Sequence, residues 1–140
     1  MNYLVDTNVF SEQLKPKPEV IVLDWLSENE GNLFVSTVTI AEIRRGIEGL
    51  PDGRKREQFQ SWLSSINRTM RGSILSFNRS VAHVWGQMQG QLDREGIRLS
   101  PFDGMIAATA IQRGLTVATR NVKDFRHAPV RTLNPFDDSH

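Results

Sequence analysis

Apolar residues along this chain come in short β-favouring runs separated by longer stretches of helical period. Tyr3-Leu4-Val5, Leu33-Phe34-Val35-Ser36, Ser73-Ile74-Leu75-Ser76-Phe77, Leu115-Thr116-Val117-Ala118-Thr119 and Val130-Arg131-Thr132-Leu133 predict five strands. After the breaker Lys15-Pro16-Lys17-Pro18, the residues Val20, Ile21, Leu23, Trp25 and Leu26 predict a helix ending near Gly31, with Pro18 in its first turn. Ile40, Ile43, Ile47 and Leu50 predict a helix directly after the second strand. Beyond the break at Leu50-Pro51-Asp52-Gly53, the spacing of Phe59, Trp62, Leu63, Ile66 and Met70 marks the clearest amphipathic helix. Asn78 is placed to cap a helix with Val81, Val84, Trp85, Met88 and Leu92 as its buried stripe, closed by Gly96 in a left-handed turn. A loop through Ser100-Pro101-Phe102 reaches Asp103. The segment from Met105 to Ile111 is then apolar nearly all round until Gly114, as expected of a central, buried helix, and Asn121 to Phe125 reads as a turn or short helix.

Strands alternating with helices predict an α/β fold with a mostly parallel central sheet of about five strands and helices on both faces. At 140 residues the chain is one domain long, and no internal repeat or low-complexity stretch competes with that reading. We expect the domain to span residues 1–136, with 137–140 a short tail. Seventeen basic against sixteen acidic side chains give a net charge of +1, so bulk charge marks neither a nucleic-acid coat nor a membrane binder. The absence of cysteine excludes disulfides and thiolate metal sites, and suits a reducing cytoplasm. No secretory leader and no apolar run of bilayer-spanning length are present, so a soluble cytoplasmic protein is expected.

Three acids stand where strands give way to turns or helix starts: Asp6, Glu42 and Asp103. In parallel α/β sheets, ligands bind outside the carboxyl ends of the strands, so these positions can converge. Each acid alone has an ordinary reading: Asp6 an Asx turn with Asn8, Glu42 a solvated helix residue, Asp103 a cap or first-turn acid. Together they repel one another unless a hard divalent cation neutralises them, and such a cation held by carboxylates points to phosphate chemistry.

The segments Asp6-Thr7-Asn8-Val9, Ala41-Glu42-Ile43-Arg44-Arg45-Gly46 and Asp103-Gly104-Met105-Ile106-Ala107-Ala108-Thr109-Ala110 resemble, in order and spacing, the signature segments of PIN-domain nucleases. Ala118-Thr119-Arg120-Asn121 with Lys123-Asp124-Phe125 resembles the fourth segment, and Asn134-Pro135-Phe136 the ending of the bacterial VapC and FitB branch. The resemblance runs from Asn2 to Phe136. It implies a small Mg²⁺- or Mn²⁺-dependent ribonuclease, the toxin of a toxin-antitoxin pair, acting as a homodimer and restrained by a small antitoxin protein. By the same resemblance Asp6 and Asp103 are metal ligands, Glu42 is a ligand directly or through water, and Thr7, Asn8 and Thr119 are hydrogen-bonding supports. Many relatives carry aspartate where Asn121 stands, so one metal ion is expected and a second is left open. Asp124 has two readings, a supporting acid at the site or a solvent-facing cap.

On this reading water attacks phosphorus in line, Glu42 orients or deprotonates it, and the products carry 5′-phosphate and 3′-hydroxyl ends. Arg44, Arg45 and Arg120, with Lys123 and Arg126, are candidates to grip RNA phosphates, while Arg54-Lys55-Arg56-Glu57 reads as a solvated face. Gly86 and Gly90 are expected to serve packing within the monomer. His83, His127 and His140 show no ligand spacing. Two rivals remain: a protein of the same fold with a weakened site that binds RNA or a partner, and an aspartate-dependent phosphotransferase. The second normally needs another acid two positions after the first, where this chain has Asn8.

Overall fold

A computed structural model describes residues 1–137; residues 138–140 of the expected tail, His140 among them, lie outside the described residues. Five strands, β1 (Tyr3–Val5), β2 (Leu33–Ser36), β3 (Ile74–Leu75), β4 (Thr116–Ala118) and β5 (Thr132–Leu133), form one sheet in the order β3-β2-β1-β4-β5. Every pairing is parallel, with Tyr3 opposite both Leu33 and Thr116 across the central strand. Six helices connect or flank them: α1 (Thr7–Phe10), α2 (Val20–Glu28), α3 (Thr37–Glu48), α4 (Arg54–Thr69), α5 (Arg79–Arg94) and α6 (Pro101–Arg113).

The central strand is buried on both faces, which is why it reads as an unbroken apolar run. Its alternation divides the core. Tyr3 and Val5 pack with Val22, Trp25, Ile43, Ile47, Leu63 and Ile66 on one side, whereas Leu4 packs with Met88, Leu92, Ile106 and Ala110 on the other. Because β2 and β3 lie on one side of β1 and β4 and β5 on the other, strand order reverses at β1. The carboxyl end of β1 is therefore the crevice where such sheets take ligands.

Several local expectations are corrected. Pro18 precedes the capping residue Glu19 instead of occupying the first turn of α2, because α2 starts only at Val20. The last strand is confined to Thr132 and Leu133, the residues that pair with β4. Helix α6 begins at Pro101, so Asp103 is a first-turn acid and not the cap. Gly86 and Gly90 are exposed, and a Cβ added at either meets nothing within 4 Å, so neither serves core packing. The close helix approach is at Gly104, where an added Cβ would lie 2.8 Å from Gln89 Oε1 and 2.9 Å from Trp85 Nε1. Trp85, expected in the buried stripe of α5, is half-buried for the same reason: its ring lies over the Gly104 backbone at the edge of the core. Asn78 caps α5, accepting from Val81 N at 3.0 Å, and Gly96 and Gly114 take left-handed φ of 72° and 67°.

Helix α1 and the 3-10 turn Ser11–Leu14 after it were not foreseen. They carry Glu12, which is 1% exposed, accepts from Glu19 N at 2.9 Å and pairs with Lys15 at 2.9 Å. Burial alone would raise its pKa, but the Glu19 N–H and Lys15 hold it below the usual carboxylate range. Glu12 thereby pins the proline-rich connection to α2.

Candidate functional site

Asp6 directly follows β1 and caps α1, its Oδ1 accepting from Thr7 N at 2.9 Å. Its backbone N–H donates to Ala118 O at 2.9 Å, which ties the acid to the end of β4. At 7% exposure the carboxylate needs partners, and Thr119 supplies the strongest. The Thr119 hydroxyl donates to Asp6 Oδ2 at 2.9 Å and accepts from Asn8 Nδ2 at 3.3 Å and from Asn121 N at 3.1 Å. One donor and both lone pairs of that hydroxyl are thus in use. Asn8 also donates to Asp6 Oδ2 at 3.3 Å and accepts from Arg120 N at 3.0 Å, so the segments after β1 and β4 are interlocked.

Glu42 reaches this edge from the second turn of α3, which Ser36 caps through Val38 N at 3.0 Å, and Asp103 from the first turn of α6. The positive end of the α6 dipole favours an ionised acid there by about 0.3–1 kcal/mol. The surroundings of both acids oppose ionisation. Glu42 is pushed up to about 7, first by burial and then by the charges of Asp6 and Asp103. Asp103 is pushed up to about 6 by burial, Asp6 and Asp124. Asp6 is raised by burial against the hydrogen bonds from Thr119, Thr7 and Asn8, with Asp124 adding to the rise.

Four carboxylates therefore share one field, although Asp124 is exposed and belongs to the 3-10 turn Val122–Phe125. Asn121 is exposed too, with its backbone N–H on Thr119. The Thr7 hydroxyl lies near enough to Glu42 to favour its charged form slightly, yet no hydrogen bond closes between them. Thr7 Oγ1 and Glu42 Oε1 are both left buried without partners. Orphaned oxygens facing a cluster of acids suit a cation in charge and donor chemistry. The cage is not ready-made: among the described residues, no three acids or histidines converge closely enough to hold a metal ion.

The basic candidates divide. Arg44 is exposed and pairs with Glu48 at 3.5 Å. Arg45 lines a cleft together with Glu42. The Arg120 guanidinium stacks on Phe136 at 4.6 Å from the ring centroid, and its charge helps keep Glu12 ionised. Lys123 is exposed, as is Arg126, whose Nε donates to His127 Nε2 at 3.1 Å. In the expected solvated face, Arg54, Lys55 and Glu57 are exposed, but Arg56 is half-buried and holds Glu48, Asp52 and Leu50 O.

Comparison with known proteins agrees with this topology. The chain is 39% identical over 137 residues to the toxin FitB of Neisseria gonorrhoeae, covering 96% of this chain and 99% of that one. It is 33% identical over 136 residues to the VapC ribonuclease Y4jK of Sinorhizobium fredii, covering 96% and 97%. The solved structure of FitAB bound to a DNA fragment superposes with a TM-score of 0.89 at 36% identity, covering 99% of this chain and 98% of that one. Residues 3–130 match the PIN domain family, and the chain belongs to it.

Proposed function

We propose that this chain is an Mg²⁺- or Mn²⁺-dependent endoribonuclease, folded as one unit over residues 1–136, and the toxin of a type II toxin-antitoxin pair. The observation that carries this reading is the orphaned Glu42 Oε1, buried without a partner in the shared field of Asp6 and Asp103, with the carboxyl pushed up to about 7 first by burial and then by those two charges. Beside a divalent cation Glu42 is favoured in its ionised form, and an ionised carboxylate with a free oxygen can take a proton from attacking water. Asp6 and Asp103 are the residues to hold the cation, Asp6 oriented by Thr119, Asn8 and the Thr7 N–H. Asp124 adds its charge to the same field, and Asn121, in place of a fourth acid, meets Thr119 through its backbone N–H. A bound divalent cation supplies a Lewis acid for the phosphate and lowers the pKa of water. Water then forms a bond to phosphorus as its proton passes to Glu42, the P–O3′ bond breaks, and the leaving oxygen takes a proton from solvent to become a 3′-hydroxyl.

The relatives support the biological setting. Names such as tRNA(fMet)-specific endonuclease VapC, from Shigella flexneri, are carried by proteins 31% identical over 127 residues. Solved neighbours include the VapBC complex of Salmonella typhimurium bound to DNA. A small antitoxin partner and a homodimer follow as expectations for this chain. A cleft of about 480 Å³ between α2 and α4, lined by Leu23, Leu26, Trp62 and Met70, is a suitable antitoxin seat. A cytoplasmic location is proposed as well; among the described residues no helix is long and apolar enough to cross a membrane.

A second reading, a weakened PIN-fold protein that binds RNA or a partner without cutting, draws on Asn121 and on the lack of a ready-made cage among the described residues. Purified protein with labelled RNA and matched DNA in Mg²⁺, Mn²⁺ or EDTA decides between them. Metal-dependent RNA cleavage, lost in Asp6→Asn by about a thousandfold with the fold intact by circular dichroism, is the expected result. Binding without cleavage would establish the second reading.

A further inference from the structure

Beside Glu42 lies an open cleft of about 400 Å³, lined by Glu42, Arg45, Gly46, Gly49, Leu50 and Phe102. Its size falls in the range of about 300–1,000 Å³ usual for small-ligand sites. Phe102 is 40% exposed, and among the described residues the other large hydrophobics as open to water are Met1, at the chain end, and Val20, at the start of α2. An aromatic ring therefore stands partly in water directly before Asp103, on the wall of this cleft. Gly46, like Gly86 and Gly90, is a helical glycine facing open space, and of these three it is the one that lines this cleft. It stands inside α3, where glycine costs about 1 kcal/mol relative to alanine, yet a Cβ there would meet nothing within 4 Å. No packing within the chain accounts for it. Arg45, unlike Arg44, enters none of the ion pairs among the described residues.

We propose that this cleft is a nucleobase subsite: a single-stranded nucleotide next to the scissile phosphate stacks its base on Phe102, against the bare helix backbone at Gly46, while Arg45 meets its phosphate. Unpaired bases are commonly held by aromatic stacking beside a positive charge, because every base presents a π-face. The occupant is RNA and not a second protein surface because Glu42 forms one wall. A nucleotide stacked there continues the strand whose phosphate lies at Glu42. This subsite rests on the nuclease reading, and its test is separable from that of cleavage.

The test measures binding of a fluorescent single-stranded RNA oligomer to the full chain in EDTA, alongside an oligomer of equal charge in which one nucleotide is abasic. Wild type should prefer the intact oligomer, and Phe102→Ala should lose about tenfold in affinity for it while binding the abasic oligomer as wild type does. Phe102→Trp should restore the preference. Gly46→Ala should melt at a higher temperature and yet bind intact RNA more weakly, since the added methyl stabilises the helix and fills the floor. A wild type with no preference, or a Phe102→Ala variant that binds both oligomers as wild type does, overturns the subsite. So does a Phe102→Ala variant that changes oligomeric state with RNA affinity unaltered, since the occupant is then another copy of the chain. In Mg²⁺, unchanged KM for Phe102→Ala beside active wild-type cleavage removes the subsite and leaves the nuclease standing. Absent wild-type cleavage removes the nuclease reading itself.

Discussion

Asp6 and Glu42 sit at the same edge of the sheet under opposite regimes. Asp6 is the more buried, yet both of its oxygens are bonded: Oδ1 by the Thr7 N–H, Oδ2 by Thr119 and Asn8. Glu42 is half-buried, and one of its oxygens has no partner at all. The first acid is positioned by the chain itself, since its partners lie within two residues of it or directly after β4, the strand that pairs with β1. The second is disfavoured as an ion first by burial and then by its acidic neighbours, and a cation or a proton relieves it. On the proposed mechanism, this difference separates the group that orients from the group that exchanges protons.

Removing the charge at Glu42 is the strongest way to break this contrast. Glu42→Gln should slow RNA cleavage by about 10²–10⁴-fold, the usual contribution of a positioned general base. The same substitution should raise the melting temperature of the metal-free protein above pH 7, because it abolishes repulsion toward Asp6 and Asp103. A Glu42→Gln protein that melts lower there, in differential scanning calorimetry, would contradict the repulsion.

Thr119→Val tests the other side. It removes the donor to Asp6 Oδ2 and strands a buried carboxylate oxygen, so denaturant titration should show a loss of about 1–3 kcal/mol. Glu42→Gln and Thr119→Val should thus move stability in opposite directions, although both touch the acidic edge. Equal signs would erase the distinction.

The smallest effect is the pH dependence in EDTA. Glu42 and Asp103 have folded-state pKa values of about 7 and about 6, above the 4.5 and 3.8 of ordinary glutamate and aspartate. Between those limits the folded state binds more protons than the unfolded one, so stability falls as pH rises. Their stabilising contribution is complete below about pH 4 and lost by about pH 7. The metal-free protein should melt at a higher temperature at pH 5 than at pH 8, and Mg²⁺ should raise the melting point more at pH 8. A Mg²⁺ response independent of pH would show that the cation does not meet these acids.

Much of the fold was legible because burial on both faces writes strands as continuous apolar runs, and amphipathic helices write their period directly. The strand Tyr3-Leu4-Val5 and the helix from Phe59 to Met70 are cases of each. Helix α1 escaped notice because four residues are too few to display a helical period. Glycine misled in both directions. Gly86 and Gly90 have the spacing of a helix contact but face open space, whereas Gly104, with no spacing signal, lies beneath Trp85 and Gln89. Sequence spacing gives a helix face, but not which face meets a neighbour. The same ignorance hid the cleft at Phe102, whose exposed ring reads in sequence as one more apolar residue before a helix.

By itself, the order of residues determined the parallel α/β plan, the acids at Asp6, Glu42 and Asp103, and the local bonds that orient Asp6, because those depend on neighbours in the chain or on strand periodicity. The family resemblance named Thr119 as a support and Asp124 as a candidate one, but only the tertiary structure decided which oxygen of Asp6 the Thr119 hydroxyl meets, that Asp124 acts through its charge, that Glu12 is buried, and that Glu42 keeps an oxygen without a partner. Each of those depends on how far apart two distant segments come to rest and how much water remains between them. Burial and Coulomb repulsion are properties of that spacing, which no linear pattern of residues contains.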